Sequence, residues 1–214
     1  MTSRLQLLID LLHAPGDIAL ATHSLVVAGF PFVTSIAFAT DEHHRPLMLI
    51  SRLAEHTKNL IADSRASLLV ARELGEGEIA RASLIGNVVE VELPPLMVAR
   101  YLRFHPEAER FLQLGDFCFF RVDPVRIRVV GGFAQAGWLD GKQLLDAPHI
   151  PLEDEVKRIE EARPKLPRGI VLLGIDAYGV DYRADAIRQR EEFKAGPVLA
   201  DAASSALTRV LKNL

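Results

Sequence analysis

Residues 79–92 read IARASLIGNVVEVE, a long and mainly apolar stretch that contains one glycine, Gly86. Its richness in Ile and Val favours a β-strand. A glycine inside a strand usually marks a bulge or a bend, because strand interiors otherwise avoid this residue. A long strand that bends is typical of a β-barrel, so the stretch predicts a barrel wall.

Further strands surround this stretch. Residues 32–40 read FVTSIAFAT and alternate with a period of two. The turn GFP at residues 29–31 joins them to a strand at residues 17–24, which predicts a hairpin. The other strands before Trp138 are predicted at residues 46–51, 66–72, 117–122 and 125–133, with a break at Asp123 and Pro124 between the last two. The sequence therefore predicts six or seven mostly antiparallel strands, interspersed with helices.

The composition changes after residue 139. Residues 139–151 are typical of a linker, and residues 152–163 form a charged amphipathic helix. A strand at residues 169–175, two short strands after it and a last helix at residues 198–211 complete the pattern. We therefore expect a small α+β domain behind the β-barrel.

Length and charge exclude several classes of protein. The chain has 214 residues, of which 49% are hydrophobic and 25% charged, so it can bury a core without disulfides. A net charge of −3 gives no positive field for nucleic acid or an anionic bilayer. No apolar run approaches the ~20 residues of a membrane span, and the first residues do not resemble a signal peptide. With Cys118 as the lone cysteine, we expect a cytoplasmic protein without nucleic-acid or membrane partners.

A polar cluster lies where the strand at residues 46–51 ends and a short helix begins. Helix-start amides and the helix dipole attract anions, and Ser51, Thr57 and Lys58 would add two hydroxyls and an ammonium group. Thr34 and Ser35 on a neighbouring strand could add more donors. A phosphate site is one interpretation. The other is that Ser51 only caps the turn while Thr57 and Lys58 are solvated.

The histidines give weaker signals. His56 could be a wall of the same pocket or a surface residue of the helix. His43 and His44 adjoin acidic residues, but neighbours in a turn do not converge easily on one ion, so a solvated turn is the preferred interpretation. The other histidines are isolated and are interpreted as structural: His13, His23, His105 and His149. The sequence predicts no metal site.

Residues 131–138, GGFAQAGW, end the barrel portion with small residues around one glutamine and the chain's one tryptophan. A flat aromatic ligand could lie against such a backbone, with Gln135 as a hydrogen-bonding group and Trp138 stacking on the ligand. A core tryptophan at a strand end is the alternative interpretation. The spacing shows no nucleophile-and-base motif.

The order of these elements resembles the pyridoxamine-phosphate-oxidase-like FMN-binding split barrels, in particular the branch with the HugZ-type haem oxygenases. The resemblance extends over nearly the whole chain, and its most specific part is LAEHTKNL, residues 53–60. The other matching segments are residues 29–36, 45–51, 65–70, 81–86, 105–108, 116–117 and 131–138.

The resemblance implies an α+β fold with an antiparallel, FMN-binding split β-barrel at residues 1–139 and a small α+β C-terminal domain at residues 150–214. It also implies a homodimer with FMN in a groove between the subunits. In that arrangement the phosphate is held by Ser51, Thr57 and Lys58. Thr34, Ser35 and His56 line the groove with Arg81 nearby, and the partner subunit contributes residues similar to Gln135 and Trp138.

Two departures limit what the resemblance implies. True pyridoxamine phosphate oxidases carry an arginine motif where this chain has Val33, Thr34 and Ser35, so vitamin B6 oxidation is not expected. Some HugZ-type proteins bind haem through a histidine in a C-terminal extension, and no histidine follows His149 here.

Three functions are consistent with these observations. The leading hypothesis is an FMN-binding redox protein, a flavin-dependent oxidoreductase in which FMN supplies the electron chemistry. The alternatives are a haem-binding or haem-degrading protein, and a non-catalytic dimeric binding module. The sequence identifies neither the substrate nor the catalytic residues.

Overall fold

The computed structural model describes residues 3–75, 77–131, 135–193 and 196–211. Eight strands form one sheet: β1 (Asp17–His23), β2 (Pro31–Ala37), β3 (Ala39–Thr40), β4 (Pro46–Ser51), β5 (Arg65–Gly75), β6 (Glu78–Glu90), β7 (Phe117–Gly131) and β8 (Gln135–Asp140). Three strands form a second sheet: β9 (Ile170–Ile175), β10 (Gly179–Ala184) and β11 (Ile187–Glu192).

Seven α-helices accompany the described strands: α1 (Arg4–His13), α2 (Glu55–Ala62), α3 (Pro95–Phe104), α4 (Glu109–Leu112), α5 (Gly141–Leu145), α6 (Leu152–Ala162) and α7 (Ala200–Leu211). Two short 3-10 turns lie at Pro106–Ala108 and Arg163–Lys165. None of the described helices is long and apolar enough to cross a membrane.

The large sheet is antiparallel and curled, with the strand order β2-β1-β5-β6-β7-β4-β3. Strand β7 organises it, because one edge of β7 pairs with β6 while the other edge pairs with β4 near its start and with β8 near its end. This arrangement confirms the predicted split-barrel α+β fold. The predicted hairpin is also present, with Ile18 opposite Ile36 in the pairing of β1 with β2.

The predicted break at Asp123 and Pro124 is wrong, because β7 runs through both residues. Proline is tolerated there because the register between β6 and β7 shifts after Ile85 and places Gly86 opposite Pro124. A Cβ at Gly86 would lie 2.9 Å from the Pro124 Cα, so only glycine fits this close approach. The predicted bend at Gly86 is thus the feature that allows one continuous strand.

The stretch predicted to be a linker, residues 139–151, is partly structured. It holds the end of β8 and all of α5. Helix α5 begins at Gly141 and is capped by Asp140, whose side chain and that of Gln143 form a capping box. The division of the chain into domains at residues 1–139 and 150–214 stays a prediction.

The core runs from the large sheet into the second one. Helix α1 buries Leu8 and Leu12 against the barrel strands, where Ile127 is fully buried. The same apolar cluster includes Tyr178 and Val180, which belong to the second sheet and its turn. The two sheets are therefore packed around one continuous core.

Candidate functional site

The predicted phosphate cluster lies at the start of α2 and on strand β4. Ser51 ends β4, and Thr57 and Lys58 lie in the first turns of α2. The residue that caps α2 is Ala54, which offers no side-chain oxygen to the helix amides. Lys58 is exposed, whereas Thr57 is fully buried. The three side chains are close in sequence but differ in their access to a ligand.

Ser51 has partners within the protein. Its hydroxyl donates a hydrogen bond to the Asp116 carboxylate at 2.5 Å and accepts one from the Leu53 amide at 3.1 Å. The amide of Arg52 donates to the Asp116 carbonyl at 2.8 Å. An acidic group thus lies beside the place expected for a phosphate, and two negative groups at one site repel each other.

Two buried polar atoms of α2 have no hydrogen-bond partner among the described residues. They are the Thr57 hydroxyl oxygen and the His56 Nε2 atom. Burial lowers the pKa of His56. Its imidazole is therefore favoured in the neutral state.

Thr34 and Ser35 lie on β2, against which α2 packs. The Ser35 hydroxyl donates to the Asp17 carboxylate at 3.1 Å. Arg81 lies elsewhere, because it is opposite Val130 near the end of β7 while Ser51 is opposite Phe117 at its start. Within one chain, the length of β7 separates Arg81 from the Ser51 cluster.

Trp138 lies on β8 and its side chain is 47% exposed, so it is not the core tryptophan of the alternative interpretation. Arg126 and Arg128 each lie 5.6 Å from its ring centre. The backbone of Gln135 begins β8, opposite Gly131. Residues 132–134 of the same predicted stretch lie outside the described part of the chain. The use of all these residues as ligand contacts stays a prediction.

A groove that sequence analysis did not identify opens on β1, β5 and β6. Its volume is about 410 Å³, and its apolar lining includes Ala21, Ile85 and Val125. Two basic residues line it: His23 at the end of β1 and Arg65 at the start of β5. The guanidinium of Arg65 pairs with Asp63 at 2.6 Å. We call this feature the β1–β5–β6 groove. Its parts are far apart in sequence, so no local motif reveals it.

A second unpredicted feature is a group of buried polar residues between α1, the β3–β4 turn and the second sheet. We call it the buried network: His13, His44, Asp176, Asp181 and Arg190. The prediction of a solvated turn at His43 and His44 is wrong for His44, which is fully buried. The Asp41 carboxylate accepts amide hydrogen bonds on either side of His44, at 2.9 and 2.8 Å, and so fixes the turn that directs this ring inward.

Charge within the buried network is balanced by ion pairs. Arg190 Nη1 lies 2.7 Å from Asp176 Oδ2 and 2.9 Å from Asp181 Oδ2. Burial opposes ionisation of both carboxyl groups, but Arg190 and His13 outweigh it and lower the pKa of each. Burial also lowers the pKa of His13, and it lowers that of His44 to about 3 with a contribution from His13. The two carboxylates are therefore ionised at neutral pH.

A comparison with family models decides the relationship. The model described as "CREG, beta-barrel" matches residues 10–145, which is well over half of the chain. The chain belongs to the CREG β-barrel family. The predicted resemblance to proteins with the pyridoxamine-phosphate-oxidase-like split barrel is thereby confirmed.

Two curated relatives of this CREG β-barrel protein match about half of the chain. The heme oxygenase HOZ of Arabidopsis thaliana, named as chloroplastic, is 37% identical over 119 residues, which is 55% of this chain and 37% of the relative. The heme oxygenase HutZ of Vibrio cholerae is 31% identical over 112 residues, which is 48% of this chain and 64% of the relative. The matches thus span about a third and just under two thirds of these relatives. The expected cytoplasmic location stays a prediction.

Two solved structures share the fold over almost the entire chain. A protein of unknown function from Agrobacterium tumefaciens has a TM-score of 0.72 at 22% identity, and the match covers 98% of this chain and 94% of that one. A heme binding protein from Mycobacterium smegmatis has a TM-score of 0.64 at 21% identity, with 100% and 99% covered. At these identities the likeness concerns the fold alone.

The expectation that FMN is the cofactor is wrong. Both curated relatives are named heme oxygenases, and neither name refers to a flavin. The carboxylate of Asp116 beside Ser51 is the physical feature of this chain that disfavours a flavin phosphate there.

Proposed function

We propose that this CREG β-barrel protein binds haem and takes part in haem degradation. The observation that carries the proposal is the 37% identity over 119 residues to a heme oxygenase. Because the matches cover only part of each curated relative, activity is part of the proposal and is tested separately from binding.

The β1–β5–β6 groove is the place that we propose for haem. Its exposed lining is mainly apolar, as the flat porphyrin ring requires, and one of its walls is the bend of β6 at Gly86. A second groove of about 510 Å³ lies between α6 and β9, but its lining has no histidine.

His23 is the proposed axial ligand of the haem iron. An imidazole nitrogen is a common axial ligand of haem in proteins. The side chain is exposed at the end of β1, and no described residue forms a hydrogen bond with its ring. An accessible imidazole at the edge of an apolar groove can therefore bind the iron.

Arg65 is the proposed partner of a haem propionate. A guanidinium binds a carboxylate with two parallel hydrogen bonds. Its present partner, the Asp63 carboxylate, lies two residues before it in sequence, at the end of α2. A propionate at the groove edge would compete with Asp63 for the same donors. The haem would supply the redox chemistry, while this chain would bind and orient it.

A haem titration tests the binding proposal. Addition of ferric haem to the full chain is expected to give a sharp Soret band that saturates at one haem per chain. His23→Gln should lower the affinity at least tenfold, whereas His43→Gln, a histidine outside the groove, should leave it unchanged. Equal affinity of the wild type and His23→Gln would contradict the assignment of His23.

Degradation is tested on the same complex. With ascorbate and oxygen present, the Soret band of the wild-type complex is expected to decay, with release of iron. A complex that keeps its Soret band under these conditions would leave the binding proposal intact and contradict the degradation proposal.

We also propose that the chain forms a homodimer through the β1–β2 connection and the start of α2. Large apolar side chains are exposed there, including Val26 (75%), Phe30 (65%) and Leu53 (72%). The Leu25 amide donates to Asn59 Oδ1 at 3.0 Å, which ties the connection to α2. Exposed apolar side chains clustered in this way are typical of protein interfaces.

The dimer is checked by light scattering. The wild type is expected to have the mass of two chains, and Phe30→Glu should shift it to one, because a buried charge at the interface is costly. Ile187→Glu replaces an equally exposed apolar residue on the second sheet and serves as the control. A monomeric wild type would contradict the proposal.

A further inference from the structure

The two histidines of the buried network form a chain of close polar contacts with an acceptor at each end. His44 Nε2 lies 3.0 Å from the Pro148 carbonyl oxygen, and His44 Nδ1 lies 3.0 Å from His13 Nε2. His13 Nδ1 in turn lies 3.2 Å from Asp176 Oδ2 and 3.3 Å from Asp181 Oδ2. Four contacts therefore connect the two imidazole rings to each other, to a carbonyl and to two carboxylates.

The acceptor groups at the two ends of this series of contacts determine which ring nitrogens carry protons. A backbone carbonyl can only accept a hydrogen bond, so His44 Nε2 must donate to Pro148. Arg190 donates to the same carboxylate oxygens that His13 Nδ1 faces, so these oxygens act as acceptors and His13 Nδ1 must also donate. A neutral imidazole has one N–H group. Both are used at the ends, so His13 Nε2 and His44 Nδ1 have lone pairs that face each other. The Thr40 hydroxyl, 3.3 Å from His13 Nε2, can donate to that nitrogen but brings no charge between the rings.

Two facing lone pairs at 3.0 Å are unfavourable unless a positive charge lies between them. Both rings are buried, so water does not screen this repulsion. A metal ion between the two nitrogens supplies this positive charge without adding a proton to either ring. Protein histidines that bind metal commonly donate their other N–H group to a carbonyl or a carboxylate, and both rings here do so.

We propose that His13 Nε2 and His44 Nδ1 bind one metal ion, and that the ion is Zn²⁺ or a divalent cation of similar preference. Zinc accepts imidazole nitrogen and carboxylate oxygen. Zn–N bonds of about 2.0–2.1 Å in a tetrahedral arrangement place two nitrogens about 3.3 Å apart, so a small opening of the observed 3.0 Å contact admits the ion. Asp176 is within reach as a further ligand, since one ligand atom from each of the three residues lies within 4.8 Å of the others.

The site would have a structural role that is independent of haem. His13 ends α1, His44 lies in the β3–β4 turn, and Asp176 follows β9, so the ion would join the barrel to the second sheet. A buried structural ion stabilises the folded state, because the unfolded chain does not hold its ligands together. The haem proposal and the zinc proposal therefore concern different residues, and each can be contradicted without the other.

The test uses the full chain produced in zinc-supplemented medium, with zinc measured by mass spectrometry after removal of loosely bound metal. The wild type is expected to hold one zinc per chain. His13→Gln and His44→Gln should hold at least tenfold less. His43→Gln is the matched control, because His43 is adjacent to His44 but half-buried, with its ring centre 4.4 Å from that of His149. This variant should keep the full zinc content.

X-ray absorption at the zinc edge of the wild type makes the test independent of how the variants fold. Two imidazole ligands are expected in its spectrum. A wild type without stoichiometric zinc, zinc that persists in both His13→Gln and His44→Gln, or a spectrum without imidazole ligands would each overturn the proposal.

Discussion

The start of α2 and the buried network contain similar side chains in opposite settings. At α2 the polar residues are adjacent in sequence, and Lys58 and the Ser51 hydroxyl group lie near the surface. In the buried network the residues come from positions 13 to 190, and each is almost fully enclosed. The first region could be recognised in the sequence as a motif, whereas the second is recognisable only in the three-dimensional structure. The comparison shows that polar residues close together in sequence need not interact strongly, whereas polar residues far apart in sequence can form a dense network of contacts.

The largest effect on stability should come from replacing Arg190, the arginine of the buried network. Arg190→Met leaves Asp176 and Asp181 buried without their shared partner, which is expected to lower the free energy of unfolding by about 3–5 kcal/mol. Urea denaturation measures this change. The control, Arg163→Met, removes an exposed pair with Glu160 and should cost less than about 1 kcal/mol. Similar costs for both variants would contradict the coupling that we assign to the network.

Asp10, on α1 near the buried network, should give a pH-dependent effect of intermediate size. Burial, with a contribution from Glu192, raises its pKa to about 6 from 3.8. The folded state therefore binds the proton more tightly than the unfolded state, and the ionised carboxylate destabilises the fold increasingly as the pH rises from about 4 to 6. Asp10→Asn should increase the free energy of unfolding at pH 7 by about 1–3 kcal/mol and have no effect at pH 4.

Urea denaturation at both pH values checks this prediction. Asp17→Asn, at an exposed position that begins β1, is the control and should show no such pH dependence. An Asp10→Asn variant that is less stable than the wild type at pH 7 would show that the carboxylate is needed by its neighbours, against our interpretation.

The smallest expected change in stability comes from a substitution at Thr57 in α2. Thr57 is fully buried and its hydroxyl oxygen has no partner among the described residues. Thr57→Val keeps the shape and removes the unsatisfied group, so the free energy of unfolding should rise by about 1 kcal/mol. Thr22→Val is the matched control, because the Thr22 hydroxyl accepts a hydrogen bond from Asn59 at 3.0 Å and its loss should lower stability by a similar amount. Thermal denaturation that gives the same sign for both variants would contradict this contrast.

Much of the fold could be predicted because it depends on local patterns. The alternation in residues 32–40 and the bend at Gly86 both correspond to features of the sheet. The continuity of β7 through Pro124 could not be predicted, because it depends on the glycine that faces it from β6. From sequence alone a proline predicts the end of a strand, but a proline opposite a bulge in the neighbouring strand can be accommodated within the strand.

The sites were less predictable than the fold. Sequence spacing pointed to Ser51, Thr57 and Lys58, yet Asp116, a residue 65 positions after Ser51, determines the charge beside that hydroxyl. The burial of His44 depends on the turn that Asp41 organises and on Tyr178 and Pro148 from distant segments. Long-range contacts of this kind leave no periodic or spacing signal in one sequence.

Resonance Raman spectroscopy of the ferrous haem complex is the sharpest test of haem binding in the β1–β5–β6 groove. We expect an iron–histidine stretching band in the wild type and in His43→Gln, and its loss in His23→Gln. The same band in His23→Gln, or no haem complex with the wild type, would contradict haem binding through His23.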